Sequence, residues 1–307
     1  MCGQTISIIG SGKVGSAVAL LCTASSVGDI VLVNRDEKKA IGQMYDLTNA
    51  IPMPSDVSIT AASDYSQIAG SDVVVITASS GIHKLHRTEL LYDNVSMIRS
   101  ILPNITKYAS DAKILVITNP VDVITYVVQK EGAFSPNNVI GISSELDSKR
   151  FRYLLAQKLD TNQSMISGAI VMGEHDDTMV PIFSHAKFSG RPISEFLNAQ
   201  QKHQITENVR NYWQLFRDYG WYSVFGISKI TFDVIDSILK DKALDISASV
   251  FLDGQYDIHD VCIGVPITVD GSGIRQVRQI ALNDEESEML QESATQVQDN
   301  ITKVSKK

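Results

Sequence analysis

The sequence predicts an α/β protein, with a doubly wound parallel sheet in its first half and an α+β domain in its second. Three observations predict it. Short β-branched runs alternate with helix-length segments, the runs are apolar on both faces, and the pattern changes after about residue 143. Strands apolar on both faces need cover on both sides, which crossover helices supply. At 307 residues the chain has room for two domains, and the change of pattern sets them at 1–142 and 143–307.

The first-half runs are Ile6 to Ile9, Ile30 to Val33, Val57 to Thr60, Val73 to Thr77, Ile114 to Thr118 and Val139 to Ile142. Each is four or five residues long and is closed soon after by Gly, Asn or Ser, as short buried strands are. A helix is expected to begin near Lys13. After the boundary the reading gives a helix over Ser144 to Leu159, a strand near Met165 to Met172, and helices across roughly Ser194 to Lys240. Strands recur around Leu244 to Leu252 and Val261 to Val269, and an acidic-started helix runs from Asp284 toward the Lys303, Lys306 and Lys307 tail.

Composition narrows the function. Hydrophobic residues make up 44% and charged ones 20%, which excludes a disordered or low-complexity chain. The 27 Lys and Arg against 35 Asp and Glu give a net charge of −8, the wrong sign for nucleic acid or an anionic membrane surface. Cys2, Cys22 and Cys262 are widely spaced, two of them in apolar surroundings, and read as reduced thiols with no metal-ligand spacing. No basic leader precedes the first apolar run and no apolar window is long enough to span a membrane, so a cytoplasmic protein is expected.

Gly10-Ser11-Gly12-Lys13-Val14-Gly15 is a G-x-G-x-x-G between the first strand and the first helix. The first glycine permits a tight turn, the second a close backbone approach to a pyrophosphate, and the third close helix packing, with the phosphates at the helix N-terminus. This is the Rossmann type of dinucleotide site. At the end of its second strand such a site normally carries an acidic residue that bonds the adenosine ribose of NAD. Here the segment is Val33-Asn34-Arg35-Asp36. Asn34 cannot repel a 2′-phosphate and Arg35 can pair with one, which favours NADP. The alternative is NAD, with Asn34 or Asp36 holding a plain ribose.

Four further segments carry polar groups that an inert sheet does not need: Arg87 in His86-Arg87-Thr88-Glu89-Leu90-Leu91, Asn119 in Ile117-Thr118-Asn119-Pro120-Val121-Asp122, Asp147 and Arg150 in Leu146-Asp147-Ser148-Lys149-Arg150-Phe151, and His175 in Gly173-Glu174-His175-Asp176-Asp177-Thr178. With the glycine loop and the late Asp260 to Pro266 segment, they make nearly the whole chain resemble the lactate and malate dehydrogenase family, most closely malate dehydrogenases of archaea. The resemblance implies hydride transfer between a nicotinamide cofactor and a small 2-hydroxy acid, most simply malate, with lactate or a longer 2-hydroxy acid as the alternative. A dinucleotide-binding paralogue without turnover is the reading from another class. The proton chemistry explains the residue types. A group titrating near neutrality must face the substrate oxygen, and by resemblance this is His175, oriented by Asp147 as in hydrolase triads. Asp147 and Arg150 share a helix face at i and i+3, so Arg150 is free to grip the substrate carboxylate bidentately. Each residue also has a plainer reading, a structural His and a surface salt bridge.

Arg87 follows a Ser- and Gly-containing segment that can act as a lid and polarise the carbonyl, and Asn119 is expected to orient the substrate oxygen or the nicotinamide ribose. Malate enzymes of the family carry an Arg in the lid and lactate enzymes a Gln. Here the position is Ile82 counted from Thr77, or Gly81 counted back from Arg87, and neither binds a carboxylate through its side chain. His83 or Lys84 supplies the cation if the substrate is malate, whereas Ile82 favours a neutral side chain. Asp176 stands where the family usually has Gly. The resemblance further implies a homodimer or homotetramer.

Overall fold

The computed structural model describes residues 3–80 and 87–305, with the side chains of residues 87–89 outside that description. In chain order the first half contains β1 (Thr5–Ile9), α1 (Lys13–Ala24), β2 (Asp29–Val33), α2 (Glu37–Thr48), β3 (Ile59–Ala62), β4 (Val73–Ile76), α3 (Arg87–Tyr108), β5 (Lys113–Val116), α4 (Val121–Glu131) and β6 (Val139–Gly141). The strands lie side by side as β6-β5-β4-β1-β2-β3, all parallel. The chain moves outward from β1 in one direction and from β4 in the other, so the order reverses between these two strands. In an open α/β sheet this is where a crevice forms beyond the carboxyl ends. Every residue of β4 is fully buried, each such Val or Ile contributing about 2 kcal/mol of apolar burial.

The second half contains α5 (Ser144–Lys158), β7 (Ile166–Ser167), β8 (Ile170–Met172), β9 (Val180–Ile182), β10 (Lys187–Phe188), β11 (Arg191–Pro192), α6 (Ala199–Arg210), α7 (Tyr212–Asp218), α8 (Phe225–Leu239), β12 (Leu244–Asp253), β13 (His259–Asp270), β14 (Gly273–Val277) and α9 (Asp284–Ser305). The late strands do not stand apart from the first half. The β12–β13 hairpin joins β6 antiparallel through Ser249 opposite Gly141, giving one nine-stranded sheet. The strand expected over Met165 to Met172 is broken into β7 and β8. At the break Gly168 adopts φ +64°, and a β-carbon there would lie 2.3 Å from the His185 carbonyl oxygen. The helical stretch expected across Ser194 to Lys240 is interrupted twice, at Asn211 and in the 219–224 segment, where Gly220 has φ +66°.

A second apolar cluster fixes the base of α5. Phe151 and Leu155 pack with Val171 of β8 and with Ile193, Leu197 and Ile205. The Ser148 hydroxyl donates to Ser144 O (2.8 Å) and accepts the Val171 N–H (2.9 Å), tying α5 to the strand that leads to His175. Among the described residues, no helix is long and apolar enough to cross a membrane and no His, Cys, Asp and Glu cluster is arranged to hold a metal. Cys22 and Cys262 are buried free thiols.

Candidate active site

The glycine loop begins where β1 ends. Gly10 has φ +100°, and a β-carbon on it would lie 2.6 Å from the Ala78 backbone nitrogen, so only glycine fits between β1 and the end of β4. A β-carbon at Gly12 would meet nothing within 4 Å, which leaves its face open to the cleft. Beyond it α1 starts with no acidic residue in the first turn and no side-chain cap on its N–H groups, leaving donors and a positive dipole end that suit an anion. The loop lines a cleft of about 900 Å³ together with Asn34, Arg35, Lys39, Tyr65, Thr77 to Ser79 and Tyr222. The opening is large enough for a dinucleotide.

The cleft is cationic where it runs past the end of β2. Asn34 donates from Nδ2 to Ser11 Oγ (2.6 Å) and accepts the Asp36 N–H at Oδ1 (2.9 Å). Asp36 instead caps α2, accepting the Lys39 N–H. Arg35 and Lys39 line the cleft, and Asp36 does not. Sequence reasoning passed over Lys39, one of two adjacent lysines in the first turn of α2. Lys13 lies over the rings of Tyr222 (4.5 Å) and Trp221 (5.3 Å), which brings the α7–α8 connection against the glycine loop.

Beyond β5 and β6 lies the second half of the site. Asp147 is 1% exposed in the first turns of α5 and bridges two partners. Its Oδ2 is 2.6 Å from His175 Nδ1, and its Oδ1 accepts from Arg150 at 3.0 Å. A carboxylate only accepts, so the proton of the neutral imidazole sits on Nδ1 and Nε2 carries the ring's lone pair. Arg150 is 8% exposed, which removes the plain reading of a surface ion pair, and its guanidinium lies over Tyr212 (5.2 Å) and Phe216 (5.8 Å).

The turn carrying His175 is held from three sides. Gly173 and Gly264 exchange backbone hydrogen bonds of 2.8 and 2.9 Å, the Glu174 N–H donates to Ser293 Oγ (2.7 Å), and the His175 N–H donates to Asp122 Oδ2 (2.8 Å). Asn119 borders the same small cavity as Asp122, Glu174, His175 and Asp176. Its carbonyl accepts from Asn94 Nδ2 (2.7 Å), while Asn94 Oδ1 accepts the Ser80 N–H (2.9 Å). Asn94 thus joins the β4 and β5 ends, a role that a single Asn inside a helical pattern does not announce. Ile82, His83 and Lys84 lie outside the described residues. Arg87 opens α3, and its side chain is likewise outside them.

Burial pushes the Glu174 carboxyl up to about 7, with the neighbouring Asp122, Asp176 and Asp177 charges adding to it, although Thr178 donates to it. A folded-state value raised above the unfolded one gives stability that is full at low pH and is lost as pH rises through the folded value, here between about 4.5 and about 7. Glu174→Gln keeps an acceptor for Thr178 and removes the charge. It is expected to raise Tm at pH 8 and leave it nearly unchanged at pH 5, checked by thermal unfolding at both.

The pattern described as "lactate/malate dehydrogenase, NAD binding domain" matches residues 4–141, and "lactate/malate dehydrogenase, alpha/beta C-terminal domain" matches residues 144–307. The chain belongs to the lactate/malate dehydrogenase family. It is therefore an oxidoreductase acting on the CH–OH group of 2-hydroxy acids, with a domain of the NAD-binding type. It is 34% identical to a malate dehydrogenase of Thermomicrobium roseum, across 97% of each chain. It is 32% identical to an L-lactate dehydrogenase of Acetivibrio thermocellus, across 97% of this chain and 96% of that one. The crystal structure of Cryptosporidium parvum lactate dehydrogenase, complexed with lactic acid and β-nicotinamide adenine dinucleotide, superposes with a TM-score of 0.94 at 31% identity over 99% of both chains. The family members similar to this chain thus include enzymes named for either acid.

Proposed function

We propose that the protein interconverts malate and oxaloacetate with NADP as its preferred cofactor. The observation that carries the reading is the buried Asp147 carboxylate, bonded to His175 on one oxygen and to Arg150 on the other. A binding module has no need of a proton carrier and a buried cation so joined, which weighs against a paralogue without turnover. A bound nicotinamide dinucleotide supplies the hydride in reduction and accepts it in oxidation. Every other step belongs to the chain. In the direction of reduction, protonated His175 gives its Nε2 proton to the substrate oxygen as the carbonyl carbon becomes C–H. Asp147 stabilises the imidazolium before transfer and fixes the ring throughout. Arg150 pairs with the substrate carboxylate through its fork, Arg87 polarises the carbonyl, and Asn119 orients the reacting end. Gly10 to Gly15 hold the pyrophosphate, with Lys13 and Val14 at the helix start.

Malate is favoured by the names of the relatives, and Lys84 or His83 then meets the second carboxylate, because that charge buried unpaired costs several kcal/mol. The second reading, a lactate-like or longer apolar 2-hydroxy acid, rests on Ile82 and on the lactate-named relatives. Residues 1–142 hold the cofactor and residues 143–307 carry His175 and Arg150. Exposed Leu20, Ile41, Tyr45 and Met53 on and beside α1 and α2 suit a homodimer or homotetramer. The test is a panel of 2-oxo acids with NADPH, followed at 340 nm. Oxaloacetate is expected to give the highest kcat/KM, and a higher value for pyruvate or a branched 2-oxo acid transfers the assignment to the second reading.

The cofactor preference rests on Arg35, Lys39 and the uncharged Asn34. Arg35→Ala is expected to weaken NADPH by about tenfold, one lost charge-assisted contact, and to leave NADH nearly unchanged. Asn34→Asp is expected to reverse the preference through repulsion of the 2′-phosphate. Equal kcat/KM for the two cofactors in the parent protein contradicts the reading.

A further inference from the structure

We infer that Asp122 is a positioning residue for His175, holding its main chain so that the ring keeps its place against Asp147. The inference rests on the reading of His175 as the proton carrier and adds a residue to which the sequence assigned no role. Asp122 is the second residue of α4, directly after the Asn119-Pro120 corner that ends β5. It is 3% exposed, and its Oδ2 accepts the His175 N–H at 2.8 Å. Its other oxygen lies beside the Ser249 hydroxyl of β12, outside hydrogen-bonding geometry, and neither atom has another partner among the described residues. This carboxyl therefore does not serve the sheet or a helix cap. Its one strong bond goes to the backbone of the proton carrier.

The position joins the two halves of the site. Asn119 and Asp122 leave the same corner, so the element that borders the reacting end of the cleft also grips the turn bearing His175. A shift of α4 moves both together. The charge matters as well as the bond. His175, Asp147 and Glu174 are the titratable groups that face Asp122 from the neighbouring turn and from α5, and the Cys262 thiol faces it from β13. Burial and nearby carboxylates push that thiol well above its ordinary range, so it stays neutral. Burial raises the Asp122 carboxyl to about 6, opposed by its bond to the His175 N–H. At neutral pH it is still largely ionised, and an ionised oxygen is a stronger acceptor for the His175 N–H than a neutral one. Asp147 supplies the bond to the ring, and Asp122 the bond to the backbone that carries it.

Asp122→Asn keeps an oxygen for the His175 N–H and removes the charge, whereas Asp122→Ala removes both. In oxo-acid reduction Asp122→Asn is expected to keep the parent's KM for cofactor and for substrate. Its kcat at its own optimum is expected to stay within about threefold. Asp122→Ala is expected to lose a further tenfold or more in kcat with the KM for cofactor unchanged. The His175 ring and amide signals, recorded by NMR without substrate, are expected to stay near the parent's positions in Asp122→Asn and to move in Asp122→Ala, whether or not the protein turns over. Unmoved His175 signals with the parent's kcat in Asp122→Ala overturn the inference, as does a lower Tm with kcat unchanged. Absence of turnover in the parent would instead overturn the functional reading, and the NMR comparison separates the two failures.

Discussion

His175→Ala is expected to lower kcat by about a thousandfold, the range in which a positioned general acid–base group acts, while the dissociation constant for NADPH changes by less than about threefold. The two effects separate because the groups lie on different elements. The cofactor cleft is built from the β1, β2 and β4 ends and α1, whereas His175 hangs from β8 and is held by Asp147, Asp122 and the Gly173–Gly264 pair. Asp147→Asn is expected to cost nearly as much for a second reason. An amide at that place can present a donor to Nδ1, which stabilises the wrong tautomer and leaves the imidazolium without its counter-charge. It also takes the counter-charge from Arg150, whose bond then falls on a neutral amide oxygen, so the alanine variant of His175 isolates the proton step more cleanly. Stopped-flow and fluorescence titration measure the two quantities, and a kcat within tenfold of the parent for His175→Ala removes His175 from the chemistry.

The second large effect is expected at Arg150. Arg150→Lys should lower kcat/KM by about a hundredfold or more, roughly 2.7 kcal/mol of transition-state binding. Lysine keeps the charge but loses the fork that pairs two oxygens in one plane. Here the fork is also set from behind, by Asp147 Oδ1 at 3.0 Å and by the Tyr212 and Phe216 rings, and an ammonium cannot use all three at once. A loss of less than about tenfold in steady-state kinetics means that another cation holds the substrate carboxylate.

Much of this arrangement was legible in the sequence for a physical reason. β1, β2, β4, β5 and β6 are buried strands whose β-branched runs carry the signal locally, and the glycine loop is a backbone requirement written directly as residue type. Asp147 and Arg150 were readable as a pair because a helix brings i and i+3 together. What escaped depends on distant pairing. β12 meets β6 through a single residue pair more than a hundred positions apart, and no local periodicity encodes it. β7, β10 and β11 have two residues each, too few to show a period at all. Asp122 was quoted within its motif but given no role, because its partner is a backbone N–H, which has no residue type. Lys39 escaped because a helix on the surface is expected to carry lysines, and only the cleft distinguishes this one.

The central claim is that this chain moves a hydride between a nicotinamide cofactor and the second carbon of a 2-oxo acid, with His175 completing the reaction by a proton. The most direct measurement is a single-turnover reaction of the protein with oxaloacetate and NADPH deuterated at the transferable C4 position, followed at 340 nm and by mass spectrometry of the product. The account predicts loss of absorbance with one deuterium placed on carbon 2 of malate for each NADPH consumed, and loss of both signals in His175→Ala. Unchanged absorbance with oxaloacetate and with every other 2-oxo acid, or a product without the label, would contradict it.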